Sequence, residues 1–251
     1  MNKKIKLIIC GIVAASIIGI SAYSINASKN NTRNIVDTST IIAENIDDNW
    51  DEDFSKVNNE ASITLNGDSI SLDGSGATVD GSKITITSAG IYRITGNLND
   101  GQIIVDAGDN DKVKLILNGV DIKCSNSAPI YVVNADKTVI DLKDGSNNTI
   151  TDGENYVFED TSSEESNSAI YSKDDLTISG NGTLTVNGNY NNGIVSKDDL
   201  KITGGNITVT AVNNGIKGKD SVRIKDGNIK VTAGGDGIKT NNSKETEKGY
   251  I

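Results

Sequence analysis

Three aspartates recur at steps of 24 and 22 residues, Asp174, Asp198 and Asp220, each directly after a lysine, Lys173, Lys197 and Lys219. Carboxylates brought together by such a repeat repel one another by about 1 kcal/mol per close pair even in water, and several-fold more where water is excluded. Something must neutralise them. Two answers are open: pairing with the adjacent lysines, or a Ca2+ ion, which takes carboxylate and carbonyl oxygens on tight Gly/Asn turns. A second set of candidate metal ligands lies at the turns that open each repeat, Asn192, Asn214 and Asp236. There, plain turn formation and amide stacking are the competing explanation.

Cations form the other chemical signal. Residues 28–167 carry 10 basic and 25 acidic side chains, whereas residues 168–239 carry 9 basic and 7 acidic. Strand alternation places Lys201, Arg223 and Lys225 on the outward face of one sheet and Lys217 and Lys239 on another, with Lys197 at the neighbouring corner. Cations held on strand faces of an otherwise acidic protein suit an extended polyanion. Lysines that merely solvate a sheet are the alternative. Nucleic acid is a poor partner for an acidic, exported chain without a basic domain.

Catalysis has little to stand on. The 251 residues include no histidine, which removes the commonest general base and transition-metal ligand. G-x-S-x-G, H-E-x-x-H and P-loop patterns are absent from the sequence. The neighbours Asp174–Asp175 and Asp198–Asp199 project in different directions, without the separation a glycosidase needs. A Ca2+-dependent lyase using Arg223, the only arginine in the regular repeats, stays open.

The elements that would position these residues come from the repeat itself. Residues 168–191, 192–213 and 214–235 are three versions of one unit, and DGIKT (236–240) opens a fourth. Ile170, Ile194, Ile216 and Ile238 correspond, and SKDDL occurs at both 172–176 and 196–200. A period in the twenties built from short alternating strands is a solenoid signature, because each unit is too small to bury its own apolar face. Leu176, Leu200 and Val222 with Ile178, Ile202 and Ile224 point inward, and Thr177, Lys201 and Arg223 point outward. The expected fold is therefore all-β, a right-handed parallel β-helix (solenoid) with about 22 residues per coil. Aromatics at 4% of the chain agree with a core of stacked aliphatics.

Residues 1–27 read as a signal peptide, with Lys3, Lys4 and Lys6 ahead of an apolar run from Leu7 to about Ile20. An uncleaved anchor is the alternative, and this segment is the chain's one expected tie to a membrane. Residues 28–58 are polar and acidic and read as a flexible spacer, although Trp50 and Phe54 could dock onto the domain. Residues 59–251 form the β-helical domain. Residues 154–167 read as an acidic loop projecting from one corner, and the last strand is expected to continue into further coils. The one cysteine beyond the signal segment, Cys124, reads as a buried small apolar residue.

The run SAIYSKDDLTISGNGTLTVNGNYNNGIVSKDDLKITGG, with VKLILNGVDIKCSNSAPIYV and AGGDGIKTNN, resembles the clostridial carbohydrate-binding domain-containing proteins. The resemblance covers about residues 60 to 251. It implies a right-handed β-helix similar in shape to polysaccharide lyases, bound Ca2+, and recognition of plant cell-wall polysaccharide such as polygalacturonate (pectin) or cellulose. It implies no established catalysis. Taken together, the residues and the resemblance describe a secreted or cell-surface monomer that binds polysaccharide.

Overall fold

A computed structural model describes residues 53–158, 166–242 and 248–251. The proposed signal peptide and all but the last residues of the proposed spacer lie outside the described residues. The chain divides into two units at Glu52/Asp53, and all of the described residues belong to the second.

Twenty strands and no helix occur among the described residues, arranged in one sheet of twelve and one of eight. Strand pairing follows the sequence repeat. In the eight-stranded sheet Ile170 pairs with Ile194, Ile194 with Ile216 and Ile216 with Ile238, all parallel. In the larger sheet Ile178 pairs with Ile202 and Ile202 with Ile224, and separately Val186 with Val209 and Val209 with Val231. Each unit thus contributes one strand to each of three parallel columns.

The columns continue into the less regular N-terminal half. Ile103–Ile130–Ile170, Leu115–Ile140–Ile178 and Ile122–Ile150–Val186 carry on the same three rows. The long strand Lys112–Cys124 serves two of them, its first half pairing with Lys137–Leu142 and its second with Asn147–Asp152. Among the described residues, antiparallel pairing appears only between Glu60–Gly67 and Ile70–Asp73 and between Ala77–Asp80 and Lys83–Ile86. Short antiparallel partners cover strand edges at this end of the described stack.

One apolar cluster runs through the stack, with Ile103, Ile130, Ile170, Ile194 and Ile216 fully buried. Each such side chain contributes about 1.5–3 kcal/mol through removal from water. The largest buried side chain, Tyr92, keeps its hydroxyl 2.8 and 2.9 Å from the carbonyl oxygens of Ser88 and Gly76. Cys124 is buried, and that burial pushes its thiol pKa up.

Phe54 is not part of a mobile tail: it is 8% exposed, with the Lys114 ammonium 4.6 Å from its ring centroid. Docking an apolar ring removes area from water that a tail would expose. Trp50 lies outside the described residues. Of the expected acidic loop, residues 159–165 lie outside the described residues; at its start the Tyr156 hydroxyl donates to Asp152 Oδ2 at 2.7 Å.

Candidate functional site

The Ser-Lys-Asp-Asp-Leu motif makes a corner between the first and second columns. Ser172 Oγ donates to the Asp174 carbonyl at 2.7 Å, and the Asp174 and Asp198 amides donate back to the hydroxyls of Ser172 and Ser196. Serine hydroxyls that close such turns fix the direction of the aspartate two residues on. Ser196 Oγ also reaches the Asp174 carbonyl of the unit before, at 2.9 Å, tying successive corners together. The adjacent carboxylates then separate into two columns, as the sequence implied.

The first column is Asp174, Asp198 and Asp220, and it extends further than the repeat showed. Asp175 pairs with Lys137, which places Asp136 in line with Asp174, and the Asp136 amide donates to the Asp111 carbonyl at 3.0 Å. Asp174 Oδ2 accepts from the Ala135 amide at 3.0 Å. Asp220 accepts from Lys248 Nζ at 2.6 Å and Asn242 Nδ2 at 2.9 Å. Between these two stands Asp198, whose acid is pushed up to about 7 by loss of water and by the carboxylates of Asp220, Asp175 and Asp199. Asp198 is exposed, so the neighbouring carboxylates raise it more than burial does. Burial also pushes Asp220 up, but bonds from Lys248, Asp198 and Asn242 outweigh it and carry it down to about 2. The two neighbouring acids are thus shifted in opposite directions, Asp198 up and Asp220 down.

The second column is neutralised by protein cations. Lys137 Nζ lies 3.5 Å from Asp175 Oδ2, and Arg223 lies 3.4 Å from Asp199 Oδ2, whose other oxygen accepts from Ser221 Oγ at 2.6 Å. Loss of water pushes Asp175 up, and the charges of Lys137 and Lys201 oppose that shift. This corrects the expected polymer-binding cations. Lys201 and Arg223 do alternate away from the core, yet they are 4% and 9% exposed and serve the column of Asp175 and Asp199. Sequence alternation gives a side chain's direction; it does not show the carboxylate row beside it.

The remaining cations are more accessible. Lys225 is exposed, Lys197, Lys217 and Lys239 are half-buried, and Lys239 pairs with Asp236 at 2.7 Å. Lys173 and Lys219, which precede the aspartates of the first column, are exposed. The accessible basic strip is therefore the corner of Lys173, Lys197 and Lys219, flanked by Lys217 and Lys239.

Asn192 and Asn214 are not arranged as metal ligands. Asn192 Nδ2 donates to Asn167 Oδ1 at 3.1 Å, Asn214 Nδ2 donates to Asn192 Oδ1 at 2.9 Å, and the Asp236 amide donates to Asn214 Oδ1 at 3.2 Å. An amide carries both donor and acceptor, so a column of amides satisfies itself. The glycine after each asparagine has its own reason: a Cβ at Gly193 or Gly215 would collide with Val209 or Val231.

Among the described residues no three acidic or thiol side chains converge on a single point. The first column offers instead pairs of carboxylates from successive units beside backbone carbonyls. Such an all-oxygen set fits a hard cation such as Ca2+.

Sequence reasoning passed over one further cluster. Tyr156 and Tyr190 stack with ring centroids 4.1 Å apart and planes 14° apart, and Phe158 stands 6.0 and 6.2 Å from them. The signal was there in two tyrosines beside Asn/Gly turns, but the repeat alignment treats both as loop residues.

The profile of the carbohydrate-binding domain-containing proteins matches residues 80–251. A protein of that description from Acetivibrio thermocellus is 51% identical over 126 residues, which are 50% of this chain and 44% of the relative. The chain therefore matches less than half of that relative's length. A solved structure described as the polysaccharide lyase-like protein from C. thermocellum, gadolinium derivative, superposes with a TM-score of 0.75 at 51% identity. That superposition covers 76% of this chain and 78% of the other.

Proposed function

The chain belongs to the carbohydrate-binding domain-containing protein family, and on that premise we propose that it is a non-catalytic extracellular protein that binds plant cell-wall polysaccharide, polygalacturonate foremost, with the help of Ca2+. The supporting observation is the pairing register that sets a strip of lysines, Lys173, Lys197 and Lys219, directly beside the carboxylates Asp174, Asp198 and Asp220. Ca2+ would be held by carboxylates of successive units, Asp174 with Asp198 or Asp198 with Asp220, beside neighbouring carbonyls, and would supply positive charge to bridge protein and uronate carboxylates. The lysines attract the polymer over a longer range and orient it along the corner. We read the three parallel columns as a right-handed β-helix of about 22 residues per coil, the hand favoured for parallel crossovers.

Pull-down on soluble and insoluble plant polysaccharides, with and without a chelator, tests this reading. Retention on polygalacturonate that is lost on chelation is the expected result. Retention on no polysaccharide would leave a structural cell-surface role. The words "polysaccharide lyase-like" attached to the solved relative favour a second reading, a Ca2+-dependent β-eliminase. Arg223, its obvious base, is instead engaged by Asp199 and 9% exposed. Formation of ultraviolet-absorbing unsaturated uronate from polygalacturonate would establish that reading.

A further inference from the structure

The sequence contains six Asn-Gly and seven Asp-Gly steps, and all of them lie among the described residues. At such a step the glycine amide nitrogen can attack the side-chain carbonyl carbon of the residue before it, because glycine has no Cβ to obstruct the approach. In an unfolded neutral chain asparagine reacts faster than aspartate, since an ionised carboxylate is a poor electrophile. A fold can change that order by deciding which nitrogen is held near which carbon.

The structure holds every Asn-Gly step. In the amide column the Gly193 and Gly215 nitrogens donate to the carbonyls of Asn214 and Asp236 at 3.0 and 2.9 Å, and the side chains of Asn192 and Asn214 are buried. Gly182 donates to the Leu142 carbonyl at 3.1 Å, and Gly119 to Asn148 Oδ1 at 3.0 Å. The other two steps are held through the side chain. Asn187 Nδ2 donates to Thr151 Oγ1 at 3.0 Å, and Asn66 Nδ2 donates to Ser71 Oγ at 3.0 Å and to the Thr64 carbonyl at 3.2 Å. A nitrogen that serves another acceptor, or a side chain turned to another partner, is kept out of the attacking arrangement.

Asp226-Gly227 is the opposite case. It lies in the turn between the strands Ser221–Ile224 and Asn228–Ala233, where Asp226 is exposed. There the Gly227 nitrogen donates to Oδ1 of Asp226 itself at 2.7 Å. The carbon to be attacked is bonded to that oxygen, so a rotation of the carboxyl group turns it towards the nitrogen. Gly227 has a φ of 122°, a conformation that other residues rarely adopt.

We propose that Asp226 is a site of spontaneous isoaspartate formation in the folded protein, modified ahead of all six Asn-Gly steps. In the protonated acid, Gly227 N bonds to Asp226 Cγ and loses its proton, the Cγ–O bond breaks, and water leaves. A five-membered succinimide remains. Water then adds to the imide carbonyl that was the Asp226 main-chain carbonyl, and the ring opens with the chain running through Cγ. No atom is gained or lost overall, but the backbone of residue 226 is one carbon longer. That carbon enters just before Asn228, whose strand lies in register with Asn206–Ala211, so the change loosens this pairing. The turn joins the second and third columns, away from the lysine–aspartate corner, and the inference is independent of the polysaccharide reading.

Peptide mapping of the full chain after prolonged warm incubation in neutral buffer, with fragmentation that separates isoaspartate from aspartate, tests this. In the folded protein isoaspartate at Asp226 should exceed modification at Asn192 and Asn214 by about tenfold or more. In urea, where the holds are lost, the asparagines should overtake it. Asp226→Glu, which would need a larger ring, should remove the signal and leave the fold intact, because the side chain is exposed. Aged wild type should lose Tm relative to aged Asp226→Glu; equal values overturn the effect on the strand. Folded protein without isoaspartate at Asp226, or with any Asn-Gly step modified first, overturns the proposal.

Discussion

Two polar columns run along the same stack, one residue per repeat, and they solve their electrostatics in opposite ways. Asn167, Asn192 and Asn214 pass hydrogen bonds from unit to unit until the last acceptor meets the Asp236 amide. Asp174, Asp198 and Asp220 cannot do this, because ionised carboxylates only accept. The structure answers with the Ala135 amide at one end and Lys248 and Asn242 at the other, and in the middle the acid of Asp198 is pushed up. Repetition therefore stabilises an amide column by itself, whereas a carboxylate column stays dependent on something added. That dependence is what makes the aspartate corner a candidate for binding and the asparagine row a piece of scaffold.

The sharpest way to break the contrast is at its self-sufficient side. Asn192 is 2% exposed and serves Asn167, the Asn214 amide and the Asn214 side chain. Asn192→Leu leaves buried partners unpaired and should cost about 3 kcal/mol, read as a lower midpoint in urea denaturation, with or without Ca2+. An effect below about 1 kcal/mol would show that the amides are not a cooperative ladder.

On the dependent side the same kind of change should reverse sign with conditions. Asp198→Asn removes one of two adjacent carboxylates. At pH 8 without Ca2+ it should stabilise the fold by up to about 1 kcal/mol, screened because the side chain is partly in solvent. With millimolar Ca2+ the wild type should gain Tm and the variant should not. Loss of stability under both conditions would place Asp198 with the scaffold.

Proton and calcium should also compete. The folded pKa of Asp198 lies above its unfolded value, so the folded state holds the extra proton between about pH 4 and pH 7 and loses stability as pH rises through that window. Asp220 works the other way, with its contribution lost only as pH falls towards 2. The Tm gain on adding Ca2+ should accordingly be larger at pH 8 than at pH 5, by scanning calorimetry. A gain that is flat with pH would separate the ion from this pair.

The smallest expected effect is on the lysine strip. Lys219→Glu, at an exposed position, should weaken polygalacturonate binding several-fold at low salt and little at high salt, because the interaction is screened. Lys201→Glu should instead act on stability, since Lys201 is 4% exposed. A variant series in which Lys201→Glu abolishes binding without destabilising the protein would restore the position that strand alternation alone assigns to the site.

Strand columns and inward residues were legible because the aliphatic repeat is direct: Ile170, Ile194, Ile216 and Ile238 align in the sequence and pair in the structure. The split of Asp174 from Asp175 was legible for the same reason. Three things were not. The burial of Lys201 and Arg223 depends on the Asp175–Asp199 row, a neighbour relation across units that a face assignment omits. The amide ladder looks identical to a ligand ladder until donors and acceptors are placed. The Tyr156–Tyr190 stack joins two segments that share no repeat position, through the buried carboxylate of Asp152.

The most direct test of a calcium-dependent aspartate corner is calorimetric titration of Ca2+, followed by polygalacturonate, into the full chain and into the Asp198→Asn/Asp220→Asn double variant. The wild type should bind Ca2+ and then the polymer, and the double variant should lose both heats while remaining folded. Undiminished polygalacturonate binding by the variant, or by wild type after chelation, would contradict the account.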